Sequence, residues 1–285
     1  MRLQDYDIST RYPAQVVQSK RLTSADSANE IREIVLDVGN NLNIDVGQHV
    51  GVLAPGQAEF GQPHHLRLYT VADIPQRMSE GTIRIHLCVK RCWYLDQYSG
   101  ERYRGVASHF LCDLAAGNRL ELTGPYGHPF EIPDEPDATL ILIGAGTGIA
   151  PFRAFVKYLH QHPESFRGKI WLFHGGKTGL DLLYMNELED DFAQYYDRET
   201  FQAIAALSAN PDWSDAIDWE AAISQHGTEI WKMLEDSKTH VYLAGLESIR
   251  DQLDTVFCGL AGSVERWHRR KVELAAGGRW IELLY

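Results

Sequence analysis

Residues 31–38 place apolar side chains among polar ones as Ile31-Arg32-Glu33-Ile34-Val35-Leu36-Asp37-Val38, and residues 82–89 do so again as Thr82-Ile83-Arg84-Ile85-His86-Leu87-Cys88-Val89. Alternation with a period of two puts one set of side chains on each face of an extended chain, so both runs are predicted to be half-buried antiparallel strands. Turns rich in Gly, Pro and Asp separate such runs, which implies a small antiparallel barrel or sandwich. The stretch 105–114 has a helical pattern instead. Beyond the polar, proline-broken segment Pro133-Asp134-Glu135-Pro136-Asp137 the pattern changes. Short, largely apolar runs at 140–143, 169–174, 201–207 and 240–244 now alternate with amphipathic stretches at 150–160, 180–195, 226–236 and 248–260. Apolar strands between amphipathic helices predict a parallel sheet covered on both faces. The predicted organisation is therefore an antiparallel β-barrel domain over residues 1–133 and a Rossmann-like α/β domain over residues 137–285.

The most informative stretch is Leu140-Ile141-Leu142-Ile143-Gly144-Ala145-Gly146-Thr147-Gly148-Ile149-Ala150-Pro151-Phe152-Arg153, where a buried strand breaks into glycines as a helix begins. Glycines there let the backbone approach a ligand closely, and the free N–H groups of the following helix favour an anion such as a pyrophosphate. In open parallel sheets ligands bind at the carboxyl ends of the strands, where this turn falls. Taken alone the glycine spacing is weak evidence, because many strand-to-helix turns carry two or three glycines.

Bulk properties narrow the function classes. A chain of 285 residues accommodates two domains, each with its own core. The formal net charge of -12 argues against a nucleic-acid binder. The longest apolar run is short and broken by glycine, so no membrane span is expected, and the polar start Met1-Arg2-Leu3-Gln4-Asp5 argues against export. Cys88, Cys92, Cys112 and Cys258 form no Cys-x-x-Cys pair, so they read as reduced cysteines of a cytoplasmic protein, and an iron–sulfur cluster is not expected. The histidines, including His64-His65, lack companions at zinc-like spacing, and no metal is predicted.

Arg67-Leu68-Tyr69-Thr70, the Gly-Thr-Gly-Ile-Ala-Pro-Phe-Arg turn at 146–153 and the terminal Tyr285 together resemble the plant-type ferredoxin–NADP reductase family. The resemblance extends through residues 87–91, 105–114, 122–125, 171–175 and 242–246 in the family's order. It implies an FAD-binding barrel followed by an NAD(P)-binding domain, and hydride transfer between the nicotinamide and flavin N5. The implied partner is a one-electron carrier protein such as ferredoxin or flavodoxin.

The resemblance also assigns residues. Arg67, a fork-shaped donor, and the start of the predicted helix, Gly105, Val106, Ala107 and Ser108, would compensate the FAD pyrophosphate. Tyr69 would lie on the isoalloxazine, Tyr94 on the adenine, and Lys90 near the phosphates, with Leu68, Cys88 and Val89 along the same cofactor. Thr70 stands beside N5 where the family has serine; the hydroxyl is kept and the added methyl stiffens χ1. Gly146, Thr147, Gly148, Ala150 and Pro151, with Ala244, Gly245 and Leu246, would receive the nicotinamide nucleotide. Tyr285 would cover the flavin and move aside for it.

Several positions depart from the family pattern. Ala244 replaces a cysteine against the nicotinamide. Leu283 stands where the family has a glutamate, and Glu282, one residue earlier, replaces that carboxylate only if the tail contains a bulge, since a one-residue shift on a strand changes faces. After the third strand of the second domain the Ser-Arg pair that holds the NADP 2′-phosphate is reduced to Ser208-Ala209. Loss of that charge-assisted contact lowers NADPH preference by about 2 kcal/mol, roughly thirtyfold, which favours NADH or dual use unless Lys177 or another cation reaches the phosphate. Trp219 is a candidate stand-in for the family's adenine-stacking tyrosine. The basic run Arg266-Trp267-His268-Arg269-Arg270-Lys271 is a candidate docking surface for an acidic carrier, with a solvated helix face as the plainer reading. Two other roles remain open from sequence: the dedicated reductase component of an oxygenase or epoxidase system, and a flavin-bearing regulatory subunit with impaired hydride transfer.

Overall fold

The computed structural model describes residues 3–57, 61–78, 81–96, 98–128, 130–186, 191–195, 200–212 and 216–284. Its strands and helices, in chain order, begin with β1 (Tyr12–Arg21), β2 (Ile31–Val38), β3 (His49–Gln57), β4 (Gln62–Thr70), β5 (Gln76–Arg77) and β6 (Ile83–Lys90). A short ribbon, β7 (Trp93–Leu95) with β8 (Arg102–Arg104), leads to helix α1 (Val106–Asp113) and strand β9 (Arg119–Tyr126). The antiparallel sheet runs β4-β3-β9-β1-β2-β6-β5. It curls toward closure because the continuation of β4 returns to β6: Val71 bridges Leu87, and the Ala72 N–H donates to the His86 carbonyl at 2.8 Å. Inside the curl lie Val16, Ile34, Leu36, Val50, Val52, Ile85, Leu87 and Leu122, the inward set of the alternating strands, with Leu111 of α1 completing the core.

The second sheet is parallel, in the order β12-β11-β10-β13-β14. Its members are β10 (Thr139–Ala145), β11 (Lys169–Gly176), β12 (Phe201–Leu207), β13 (Thr239–Gly245) and β14 (Trp280–Leu284). Helix α2 (Ala150–His160) follows β10, and α3 (Trp219–Ser224), α4 (Gly227–Glu235), α5 (Ser248–Ala261) and α6 (Val264–Ala276) complete the fold. Leu140, Ile141, Leu142 and Ile143 are wholly buried, as a central strand covered on both faces requires. Ile141, Ile143, Phe173, Val241 and Leu243 share one core with Leu253 and Phe257 of α5 and Trp267 of α6.

The chain divides into two compact units: Met1–Glu131 with Arg153–Tyr158, and Ile132–Phe152 with Leu159–Tyr285. One sequence expectation fails. The stretch 180–195 is not a helix in its described residues: a turn at Gly179–Asp181, closed by a reciprocal Thr178–Asp181 cap, ends at once, and Tyr184 takes a φ of 61°. A non-glycine residue in that left-handed region cannot continue a right-handed helix. The solvated helix face expected at 266–271 lies within α6, which is charged over most of its surface, while the short β14 lay outside the predicted alternation of strands and helices.

His174, on β11 between Gly144 and Ala205, is wholly buried, and neither ring nitrogen has a hydrogen-bond partner among the described residues. Burial drives its pKa from an ordinary 6.5 down to about 3. The folded chain therefore lacks a proton that the unfolded chain binds below pH 6.5, and stability falls with decreasing pH by about 1.4 kcal/mol per unit through that window. His174→Leu is expected to remove this acid slope and to hold or raise stability at pH 7, because an unpaired buried imidazole is costly. Denaturant unfolding at pH 7 and pH 5 measures both effects. A loss of stability at pH 7 would show that the imidazole has a folded-state partner.

Candidate functional site

In the first unit the candidate residues lie along the end of β4 and the start of α1, which packs against β3 and β4. The β3–β4 ladder pairs Val52 with Arg67, Gly51 with Leu68, Val50 with Tyr69 and His49 with Thr70. The Arg67 side chain is exposed, and its Nη1 donates only to the neighbouring Leu66 carbonyl, at 2.9 Å, with no ion pair among the described residues. Tyr69 packs against the barrel core, and burial pushes its hydroxyl pKa upward, so the phenol stays neutral. The Thr70 hydroxyl meets His49 Nδ1 at 2.7 Å.

Helix α1 starts at Gly105 with no side-chain cap, so the N–H groups of Val106, Ala107 and Ser108 precede the first helical hydrogen bond, His109 N–H to the Gly105 carbonyl. The Ser108 hydroxyl is engaged internally: it donates to the Gly105 carbonyl at 3.1 Å and accepts from the Cys92 N–H at 3.1 Å. Its contribution to anion binding is thus limited to the backbone. Cys88 and Val89 are buried on β6, while Lys90 is exposed. The β7–β8 ribbon is exposed throughout, with Tyr94 60% accessible opposite Tyr103. On it the guanidinium carbons of Arg102 and Arg104 sit 4.6 and 5.9 Å from the Trp93 ring, and neither arginine forms an ion pair among the described residues.

In the second unit the parallel register sets the end of β10 against that of β13: Ile143 pairs Leu243 and Gly144 pairs Ala244. The turn Gly146–Ile149 follows directly and leads into Ala150 and Pro151 at the start of α2. A Cβ on Gly148 would stand 2.5 Å from the Ala244 carbonyl oxygen and 2.7 Å from the Gly245 N, so only glycine fits there. This contact brings Gly146, Thr147 and Gly148 together with Ala244, Gly245 and the exposed Leu246. Ser208, at the end of β12, is buried, and its N–H donates to the Lys177 carbonyl at 3.3 Å; Ala209 is exposed.

Three sequence expectations meet contrary geometry. Trp219 is 2% exposed and its ring packs beneath Gly175, so it cannot stack on an adenine. The β13–β14 ladder runs without a break from Val241–Trp280 to Gly245–Leu284, so the tail has no bulge and Glu282 keeps the face opposite Leu283. Its carboxylate is held by Arg250 at 2.7 and 2.9 Å and by the Trp280 indole N–H at 2.7 Å, beside an open groove of about 660 Å³ lined by Trp267, Lys271 and Trp280. The condition under which Glu282 replaces the family carboxylate is therefore unmet. The run Arg266–Lys271 is largely neutralised within its own unit: Arg266 pairs Glu235, Arg270 pairs Glu273, and Lys271 pairs Asp254 at 2.8 Å. Tyr285 lies outside the described residues. Sequence reading missed His49 altogether, since a lone histidine at a strand start carries no periodic or motif signal.

A nucleotide-receiving turn on a parallel sheet, beside a separate antiparallel barrel, defines a class of nucleotide-dependent oxidoreductases. Residues 142–254 match the family model described as an oxidoreductase NAD-binding domain. Over 273 residues the chain is 34% identical to the ferredoxin–NADP reductase of Thermosynechococcus vestitus, covering 93% of this chain and 70% of that one. It is 32% identical to the chloroplastic ferredoxin–NADP reductase of Spinacia oleracea, covering 97% and 76% respectively. The fold matches that of the ferredoxin-NADP+ reductase from Plasmodium falciparum with a TM-score of 0.69 over 99% of this chain and 98% of that one, at 20% identity. The chain belongs to the ferredoxin–NADP reductase family.

Burial opposes ionisation of Glu282, but its hydrogen bonds to Arg250 and Trp280 outweigh that and hold its pKa below the usual value. A carboxylate depressed in the folded state stabilises above its unfolded pKa and ceases to do so as pH falls through the folded one. Glu282→Gln is therefore expected to cost about 1 kcal/mol or less at pH 7, since Arg250 is partly exposed, and nothing in acid where the carboxyl is protonated. Thermal unfolding across that range checks it. Collapse of nucleotide oxidation at unchanged stability would instead return Glu282 to the reaction site.

Proposed function

We propose that this chain is an FAD-dependent reductase that moves electrons between NAD(P)H and a one-electron carrier protein such as ferredoxin or flavodoxin. The observation that carries the reading is the packing of the Gly146–Ile149 turn on the Ala244–Leu246 end of β13, supported by the family relationship across both units. FAD supplies the exchange between two-electron hydride chemistry and single-electron transfer when bound. The residues fit it. An unpaired guanidinium at Arg67, the uncapped N–H groups of Val106, Ala107 and Ser108, and the half-buried Tyr69 supply donors for a pyrophosphate and an apolar cover for a ring. The exposed Tyr94, on a ribbon carrying two unpaired arginines, suits a second planar group.

In this reading Arg67 and the α1 backbone would hold phosphate oxygens, Tyr69 would cover the isoalloxazine, and Thr70 would set its side-chain oxygen beside N5. Thr147, Ala150 and Pro151 seat the nicotinamide, with Ala244 leaving more room than a cysteine would. Tyr285 covers the flavin until the nucleotide arrives. Barrel and nucleotide domain divide at residues 133–137. The protein would work in the cytoplasm; among the described residues no helix is long and apolar enough to cross a membrane.

A specific observation favours a second reading. With Ala244 and Leu283 in place and Glu282 held by Arg250, the nicotinamide side lacks both the family thiol and its carboxylate, as in a flavin-bearing regulatory subunit with impaired hydride transfer. Anaerobic stopped-flow mixing of the FAD-loaded protein with NADPH and with NADH separates the two. Bleaching of the flavin by either nucleotide is expected; persistence of the oxidised spectrum with both would reject the reductase and leave the regulatory subunit. Ala209→Arg is expected to raise the NADPH-to-NADH ratio of kcat/KM by roughly thirtyfold, through a charge-assisted contact worth about 2 kcal/mol.

A further inference from the structure

The His49–Thr70 pair is the feature of the first unit that the proposed function leaves unused. Register places the two residues directly opposite each other on β3 and β4, and Nδ1 of the imidazole stands 2.7 Å from the Thr70 hydroxyl oxygen. The ring is confined on its other side, where Cδ2 and Nε2 approach the bare Gly127 turn to within 2.9 and 3.2 Å of the point a Cβ would occupy. Nε2 has no protein partner among the described residues and is not among the buried, unsatisfied atoms, so solvent reaches it.

We propose that His49 is a positioning residue for hydride transfer: its neutral ring accepts the Thr70 hydroxyl proton in a hydrogen bond and so fixes which way the Thr70 oxygen lone pairs point. The inference rests on the reading of Thr70 as the hydroxyl beside flavin N5. A neutral imidazole with Nδ1 as acceptor carries its proton on the solvent-facing Nε2. Protonation converts Nδ1 into a donor, so the hydrogen bond reverses: Thr70 becomes the acceptor and its own O–H must swing elsewhere. No bond other than this hydrogen bond changes, and the proton comes from and returns to water through Nε2.

Other titratable groups leave this switch to His49. On β9 the facing group is Tyr126, paired with His49 in the ladder, and its hydroxyl is engaged by the Asp7 carbonyl at 2.5 Å and Thr123 Oγ1 at 2.7 Å. On β4 the facing residue is Thr70 itself; on the following turn, His128 is exposed. No charged side chain contributes to the shift of the imidazole. Burial alone acts on it, and it favours the neutral ring.

The test joins a spectroscopic and a kinetic readout on FAD-loaded protein. Nitrogen-15 NMR of labelled histidines, with the His49 signals identified from H49Q, is expected to show Nδ1 unprotonated at neutral pH. Stopped-flow reduction by the better nucleotide is expected to slow about tenfold per pH unit below the NMR midpoint of His49, as for a single essential deprotonated group. His49→Gln keeps an acceptor for the Thr70 hydroxyl but does not titrate, so it should retain most of the neutral rate and lose the acid limb. His49→Phe, without an acceptor, should be slow at every pH. An acid limb that survives in H49Q, or a neutral ring protonated on Nδ1, overturns this inference alone. A wild-type flavin that neither nucleotide bleaches overturns the functional reading and the inference together, while the NMR result still decides the direction of the hydrogen bond.

Discussion

The candidate nucleotide site depends on one close approach, that of Gly148 to the backbone of Ala244 and Gly245. There is no room at residue 148 for a methyl group, because the β13 carbonyl stands 2.5 Å from where it would be. Two strands in parallel register end level with each other, Gly144 beside Ala244, and the chain must leave both ends without colliding. The tight turn at Gly146–Ile149 solves this on one side and the φ of 143° at Gly245 on the other. What remains between them is a stretch of backbone with few side chains, at the carboxyl edge where open parallel sheets bind nucleotides.

Register plays the corresponding part in the antiparallel unit. Pairing His49 with Thr70 and Val50 with Tyr69 settles which side chains of β4 face the core and which face out. Arg67 and Tyr69, two residues apart, share one face of β4, the first exposed and the second packed against the barrel core. A one-residue slip would carry both to the other face. The bridge from Val71 to Leu87 immediately beyond ties the end of this segment to β6, so Thr70 is held on both sides.

The sequence revealed most where a period or a motif encodes geometry. Strands β2 and β6 follow from alternation, β10 from its apolar run, and α2 from its amphipathic stretch after the glycines, its limits Ala150–His160 matching the expected range. It failed where a left-handed backbone position or a partner distant in sequence decides the outcome. Residues 180–195 contain apolar positions at helical spacing, yet the Thr178–Asp181 cap and the left-handed Tyr184 break the chain into turns. Trp219 reads as a plausible exposed aromatic until the sheet is assembled and Gly175 is found beneath it. The Arg266–Lys271 run reads as a positive patch until Glu235, Asp254 and Glu273 are brought beside it. Charge counted along a chain says nothing about which charges are already paired, and local spacing cannot reveal a contact such as His49 with Thr70.

The departures from the family pattern are not scattered evenly through the site. Arg67, Tyr69, Tyr94 and the α1 start keep the family's residue types in the set proposed to face the flavin, whereas Ala209, Ala244 and Leu283 all alter the set proposed for the nicotinamide. Physical demands on the two sets differ. A tightly held, doubly charged cofactor needs each of its donors, because losing one leaves phosphate charge uncompensated near an apolar ring. A nucleotide that must bind and leave in every cycle gains nothing from maximal affinity, and its contacts can be traded for a different nucleotide or a different rate. In the proposed reading Thr70 serves flavin N5, and its partner His49 belongs to barrel strand β3 rather than to the tail. On that proposal the hydroxyl is oriented from within the barrel unit, so changes at Ala209, Ala244 and Leu283 leave its orientation undisturbed.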